Sequence, residues 1–218
     1  MSKSMNEDQR IQNMIRFVKA TQELIDEISI ENVSIRKIAT RAGFHNSTIY
    51  LYFKDVDYLI LLASMRYFEE YSRSLAELST KNLSTIDSFF AVWTYFCNAA
   101  FAHPNLFYSF FFGKYSDNLT PIINLYYRLF PEEKPAYTQE IEEMYFGGNI
   151  SDRCLQILKP LAEVESTLVT GENLQLVNTI TVACLKQLLD QACANPAMDP
   201  DDINDQLIQM ICHVAGVE

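Results

Sequence analysis

The chain is predicted to be all-α. Three observations point there: apolar residues recur at three- and four-residue steps, no convincing segment alternates apolar with polar, and helix-start chemistry recurs along the 218 residues. Ile11, Met14, Ile15, Val18, Thr21, Leu24, Ile25 and Ile28 form the first stripe and predict an amphipathic helix over 8–28. Ser34 precedes Ile35 and can accept a bond from an open backbone N–H, so it reads as a helix cap. Ile35, Ile38 and Ala39 then keep helical spacing until Gly43, which suits the positive φ that closes such a helix. After this turn Thr48 and Ile49 begin a second short helix. Asp55 caps a long one running through Leu59, Leu62, Met65 and Phe68 toward Leu78.

Helix follows helix beyond that point. Ser84 can cap a segment to Ala102, and Pro104 can open another reaching Phe112. Gly113 to Asn118 read as a loop, Pro121 to Phe130 as a helix, and Pro131 to Pro135 as a turn. Gly147 and Gly148 break the next helix. Asp152 to Glu165 is helical with a kink or boundary at Pro160. Two strongly periodic segments close the chain, at about 172–194 and 200–215. The second opens on Asp199-Pro200-Asp201-Asp202: a cap, a proline at the first position, and acids at the positive end of the helix.

Composition bounds the function. An apolar share of 49% supports a real core, and six glycines with seven prolines argue against disorder. The five cysteines (Cys97, Cys154, Cys184, Cys193 and Cys212) have no metal-binding spacing and read as free thiols of a reducing compartment. No cofactor or metal motif is present. The N-terminus lacks the apolar core of a signal peptide, and Phe89 to Phe112, the nearest approach to a membrane span, is interrupted by Asn98 and His103-Pro104-Asn105. A cytoplasmic protein without membrane contact is expected. The formal charge of −11 divides unevenly: residues 1–60 hold eight bases and eight acids, and residues 61–218 hold nine and twenty. The acid therefore lies outside the first 60 residues, where Arg36, Lys37, Arg41 and Lys54 gather beside the glycine turn.

Two short helices joined by a glycine turn have the layout of a helix-turn-helix, which places its second helix in the DNA major groove. Ala39 to Gly43, followed by Thr48-Ile49-Tyr50-Leu51-Tyr52-Phe53, resembles the DNA-binding signature of the tetracycline-repressor (TetR) family of bacterial regulators. The resemblance covers about the first 60 residues. It implies a DNA-binding domain at 1–55 and a helical effector-binding and dimerisation domain at 56–218. It also implies a DNA face of Ser34, Arg36, Lys37, His45, Asn46, Ser47, Thr48, Tyr50, Tyr52 and Lys54, with Arg36 reaching a guanine edge and the tyrosine hydroxyls reaching phosphates. Tyr50 could instead pack inside the small domain, and Arg36 and Lys37 could be ordinary solvated charges. Three positions depart from the family pattern. His45 stands where a serine-like cap is common, Asn46 and Ser47 leave the tip neutral, and Val56 replaces a lysine that would meet a phosphate.

Aromatic residues crowd 89–146. They suit a bundle core, and equally the walls of an apolar pocket, for which Trp93, Phe96, Phe111 and Tyr127 are the candidates. In the last two helices Leu174, Val177, Ile180, Thr181, Cys184, Leu188 and Ala192 form one stripe, and Ile203, Leu207, Met210, Ile211 and Val214 another. They resemble the pair that makes a four-helix dimer interface in the family; alternatively both stripes are satisfied inside one chain. The function implied is a homodimeric repressor released from a palindromic DNA operator by a small-molecule effector, apolar or aromatic. The alternative is a helical adaptor that keeps the small domain without reading DNA. An enzyme is not expected: there are only three histidines, and no nucleophile elbow or phosphate-cradling glycine loop appears.

Overall fold

The computed structural model describes residues 2–217, with side chains from Glu7 onward, and among these every regular element is helical. Contacts divide the chain into two compact units, Met1–Arg66 with Pro121–Lys134, and Tyr67–Thr120 with Pro135–Glu218.

In the first unit α1 (Ser2–Ile28) packs on α2 (Ile35–Ala42) and α3 (Val56–Ser64). Its stripe buries Phe17, Val18, Leu24 and Ile25 against Ile38, Ala39, Ile49, Leu59 and Leu62. The Phe17 ring stacks on Phe44 at 4.7 Å and meets Phe53 edge-on at 6.0 Å. Ala39 is fully buried, as a small residue at a helix crossing must be. Helix α7 (Thr120–Leu129) contributes most of its length to this unit: Tyr126 is buried and its hydroxyl bonds the Glu133 carboxylate.

The second unit holds α4 (Glu69–Leu78), α5 (Thr85–Ala102), α6 (Pro104–Phe112), α8 (Gln139–Tyr145), α9 (Ile150–Leu158), α10 (Leu174–Ala194) and α11 (Pro200–Ala215). Helix α11 packs on α5 and α10, and α10 also packs on α6 and α9. The core is aromatic. Phe68 stacks on Phe107 at 4.3 Å, and Phe96 lies between Trp93 at 5.8 Å, Tyr71 at 5.6 Å and Phe111 at 5.5 Å. Arg153 is buried among these rings, with its guanidinium 5.2 Å from the Phe111 centroid and 5.3 Å from that of Tyr145. Its Nε donates to the Gly147 carbonyl.

Breaks within elements depart from the sequence expectation. The long helix from Asp55 to Leu78 is two helices joined by a 3-10 segment, Met65–Phe68. The Ser64 hydroxyl donates to the Ile60 carbonyl at 2.8 Å, a back-bond that bends helices at the point where the geometry changes. The division between the compact units falls within this segment, at Arg66/Tyr67, and α3 lies in the core under α1. After α9 the chain changes to a 3-10 segment, Lys159–Glu163, a break that agrees with the kink or boundary expected at Pro160. Among the described residues no helix is long and apolar enough to cross a membrane.

Candidate functional site

The second element of the helix-turn-helix is a 3-10 helix, Asn46–Leu51, in place of the α-helix expected from Thr48. Six residues rich in β-branched and aromatic types hold little helix propensity. Its cap residue, His45, also makes no side-chain bond to the helix start. The preceding helix is better defined. Ser34 Oγ accepts from the Lys37 N–H at 3.5 Å, and Gly43 turns the chain with φ +74° while its N–H bonds back to α2.

This turn leaves a ridge of exposed side chains: His45, Asn46, Ser47, Tyr50 and Leu51, flanked by Arg36. Tyr50 is 60% exposed and Leu51 67%, so the packing alternative for Tyr50 is excluded. Thr48 is half-buried between them. Tyr52 is half-buried, tilted against Phe17 at 5.7 Å, and its hydroxyl accepts from Asn13 Nδ2 at 2.8 Å. That bond leaves the hydroxyl hydrogen available for an outside acceptor such as a phosphate oxygen.

The basic residues have distinct surroundings. Arg36 is exposed and engages no other side chain among the described residues. Lys37 Nζ donates to the Asn32 carbonyl at 2.9 Å, which ties it to the loop before α2. Lys54 lies 5.5 Å above the Tyr58 ring. Arg41 forks onto Glu27 at 2.6 Å and Glu23 at 3.2 Å, so its charge is answered within the protein. The pair holds the Glu27 carboxyl below its ordinary range and raises the guanidinium further. Sequence reasoning missed two residues. Arg10 Nη1 donates to the Leu51 carbonyl at 3.1 Å and its guanidinium sits 5.4 Å over Tyr52, so α1 anchors the end of the exposed ridge. Leu51, the second, lies at the end of the 3-10 segment and is exposed there. Nothing within the motif signals Arg10, which lies some forty positions upstream.

The aromatic candidates are not brought together as a pocket. Trp93, Phe96 and Phe111 pack on one another as core, and Tyr127 belongs to the other compact unit. None of the four lines the cleft that the second unit does contain, between α4, α5, α8 and the end of α9. The dimer candidates also shift. Val177, Thr181, Leu188, Leu207 and Ile211 are buried within their own chain, since α10 and α11 use that face against α5, α6 and α9. Cys184 and Met210 remain half-buried. The face left open on α10 holds Ile180, a member of the expected stripe, and Leu176 outside it, 37% and 62% exposed. Cys97 and Cys154 are buried, and burial pushes both thiols well above their ordinary range.

Residues 17–69 match the family model of bacterial regulatory proteins of the tetR family. This segment is similar to the DNA-binding region of TetR-family regulators. The matched span runs from the middle of α1 through the 3-10 ridge to the start of α4, so it takes in every residue of the exposed face except Arg10 and Asn13. No curated protein matches the chain in sequence. The whole fold resembles solved structures at low identity. RolR in complex with resorcinol is 18% identical with a TM-score of 0.63, covering 97% of this chain and 91% of the other. The Thermus thermophilus TetR-family repressor FadR, in complex with lauroyl-CoA, is 13% identical with a TM-score of 0.58, covering 91% and 92%. A TetR regulator from Rhodococcus sp. RHA1 is 16% identical with a TM-score of 0.55, covering 95% and 97%.

Proposed function

We propose that this TetR-type chain is a homodimeric, cytoplasmic transcription repressor. It binds a palindromic operator through the ridge His45–Leu51 and leaves it when a small apolar or aromatic molecule occupies the helical C-terminal unit. The observation that carries the reading is the exposed ridge itself. A short element is braced from behind by Ile49, Phe53 and the Arg10–Leu51 bond, yet its whole outer face is open to solvent within the TetR-matched span. Tyr50 and Tyr52 supply hydroxyls for phosphates, Arg36 a guanidinium for a guanine edge, and Asn46 an amide for adenine or a phosphate. Operators with two-fold symmetry need two such ridges about one DNA turn, ~34 Å, apart, which requires a second copy of the chain. Similar folds carry resorcinol, triclosan or lauroyl-CoA, each with a substantial apolar part, which supports an apolar effector here. For release, the ligand must bind the DNA-incompetent state more tightly than the competent one.

Selection of bound DNA from a random pool with purified protein tests this directly. The expected product is an inverted repeat whose half-sites lie one turn apart. A folded dimer that enriches nothing would sink the repressor reading. One observation favours the adaptor in that event: Arg41, Lys37 and Arg66 already meet protein partners, which leaves the ridge sparse in available positive charge.

A further inference from the structure

A cleft of about 340 Å³ opens in the second unit where the end of α4, the first turns of α5, α8 and the end of α9 meet. That volume lies in the range of small-molecule sites, ~300–1,000 Å³. Its walls are apolar side chains from four separate elements, Leu78, Val92, Ile141 and Ile157 among them, with the unbranched thioether of Met144 as an adaptable one. Leu83 at the lining is 39% exposed and carries the apolar surface out to solvent. Burying those walls under a ligand removes apolar area from water, which gives the site its driving force.

The polar groups select the ligand. The hydroxyls of Thr85, Ser88 and Thr138 line the cleft and make no side-chain hydrogen bond among the described residues. They can donate to a ligand carbonyl or accept from a ligand hydroxyl. Lys81 and Glu140 are the two charged lining residues, and their opposite signs leave the cleft without net charge. A phosphorylated or multiply anionic molecule therefore finds no set of cations to offset its desolvation.

We infer that this cleft, not the packed aromatic cluster, is a binding site for an uncharged amphiphile: an apolar chain or ring system ending in a hydroxyl, carbonyl or amide. The link from occupancy to DNA release rests on the repressor reading; the binding itself does not. The test uses the full-length protein and N-phenyl-1-naphthylamine, an uncharged fluorescent lipophile. Its fluorescence should rise saturably to one equivalent per chain. 1-Decanol should displace it at least about tenfold more effectively than decanoate, and adenosine monophosphate should not displace it. Ser88→Trp, which fills the cleft from α5, should weaken probe binding about tenfold or more, and Ile157→Trp, which fills it from α9, should do the same. Circular dichroism and melting identify whichever variant remains folded. Lys81→Ala should change affinity less than about twofold, because the ligand carries no charge for it to pair.

Probe binding untouched by a folded cleft-filling variant would overturn the site. A tenfold loss in Lys81→Ala, or preference for decanoate, would overturn the ligand class. Gel shifts on the selected DNA run alongside. Saturating probe that leaves the DNA affinity of the wild type unchanged, with probe binding lost in Ser88→Trp, upholds the site and defeats ligand-driven release. Probe binding with no DNA binding at all defeats the repressor reading alone.

Discussion

Arg36 and Arg41 stand five residues apart on α2 and have opposite duties. Arg41 is consumed by Glu27 and Glu23, whereas Arg36 points into solvent beside the exposed ridge. Arg36→Ala is therefore expected to weaken operator binding by about 1–3 kcal/mol and to relax base preference at one position of each half-site. Arg41→Ala should leave binding nearly unchanged. Titrations of the selected operator and of point-mutated copies distinguish the two; equal losses in both variants would mean that Arg36 acts only through general charge. The Arg41 pair has its own signature in pH. Glu27 is held below its ordinary value near 4.5, so the pair's contribution is complete above that pH and disappears as pH falls through the lowered folded value. Both groups are exposed, so the effect is small and screened by salt. Melting of the wild type and Glu27→Gln should differ near neutral pH in low salt, and the difference should close as pH falls through the lowered folded value.

At the scale of elements, the caps were the most legible part of the sequence. Ser34, Asp55, Ser84 and Asp199 each accept from a backbone N–H at the start of their helix. A cap is a contract between neighbours, so sequence order alone reveals it. Breaks inside elements were less visible. The 3-10 segment at Met65–Phe68 follows a serine back-bond, and the 3-10 ridge reflects competition between weak propensity and the core beneath it. The sequence places the start of α9 at Asp152, whereas Asn149 Oδ1 accepts from the Asp152 N–H and the helix opens two residues earlier, at Ile150. The caps and turns around the ridge have measurable worth. Ser34→Ala should cost about 1 kcal/mol of stability through the lost N-cap. Gly43→Ala should cost about 1–2 kcal/mol, because its φ of +74° strains any Cβ. That Cβ would also crowd the Arg16 guanidinium at 3.2 Å, which caps α2 through the Ala42 carbonyl. Denaturant unfolding checks both. In Gly43→Ala the DNA affinity should fall further than stability alone explains, since the turn aims the ridge.

For the whole molecule, periodicity names an apolar face and is silent about what covers it. This is why the stripe from Val177 to Leu188 reads equally well as core or as interface, and why Trp93, Phe96 and Phe111 read as pocket walls when they are packing. Which helices come together is a property of long-range contacts, and only the folded chain shows that α5, α6 and α9 cover the inner faces of α10 and α11. A dimer must then use what remains. Leu176 and Ile180 lie four residues apart on one open face, with Ala183 continuing it and Leu168 exposed on the loop that leads in. The double variant Leu176→Asp/Ile180→Asp should stay folded, sediment as a monomer at micromolar concentration, and lose the tight binding that depends on two half-sites. Leu188→Asp, about two turns beyond Ile180 but only 1% exposed, places an unpaired carboxylate in the core and should cost about 3 kcal/mol or more. Sedimentation and denaturant unfolding on both variants separate interface from core. If the double variant remains dimeric, the two-fold contact lies on α11, where Met210 and Val214 are half-buried, and the same charge substitution there would locate it.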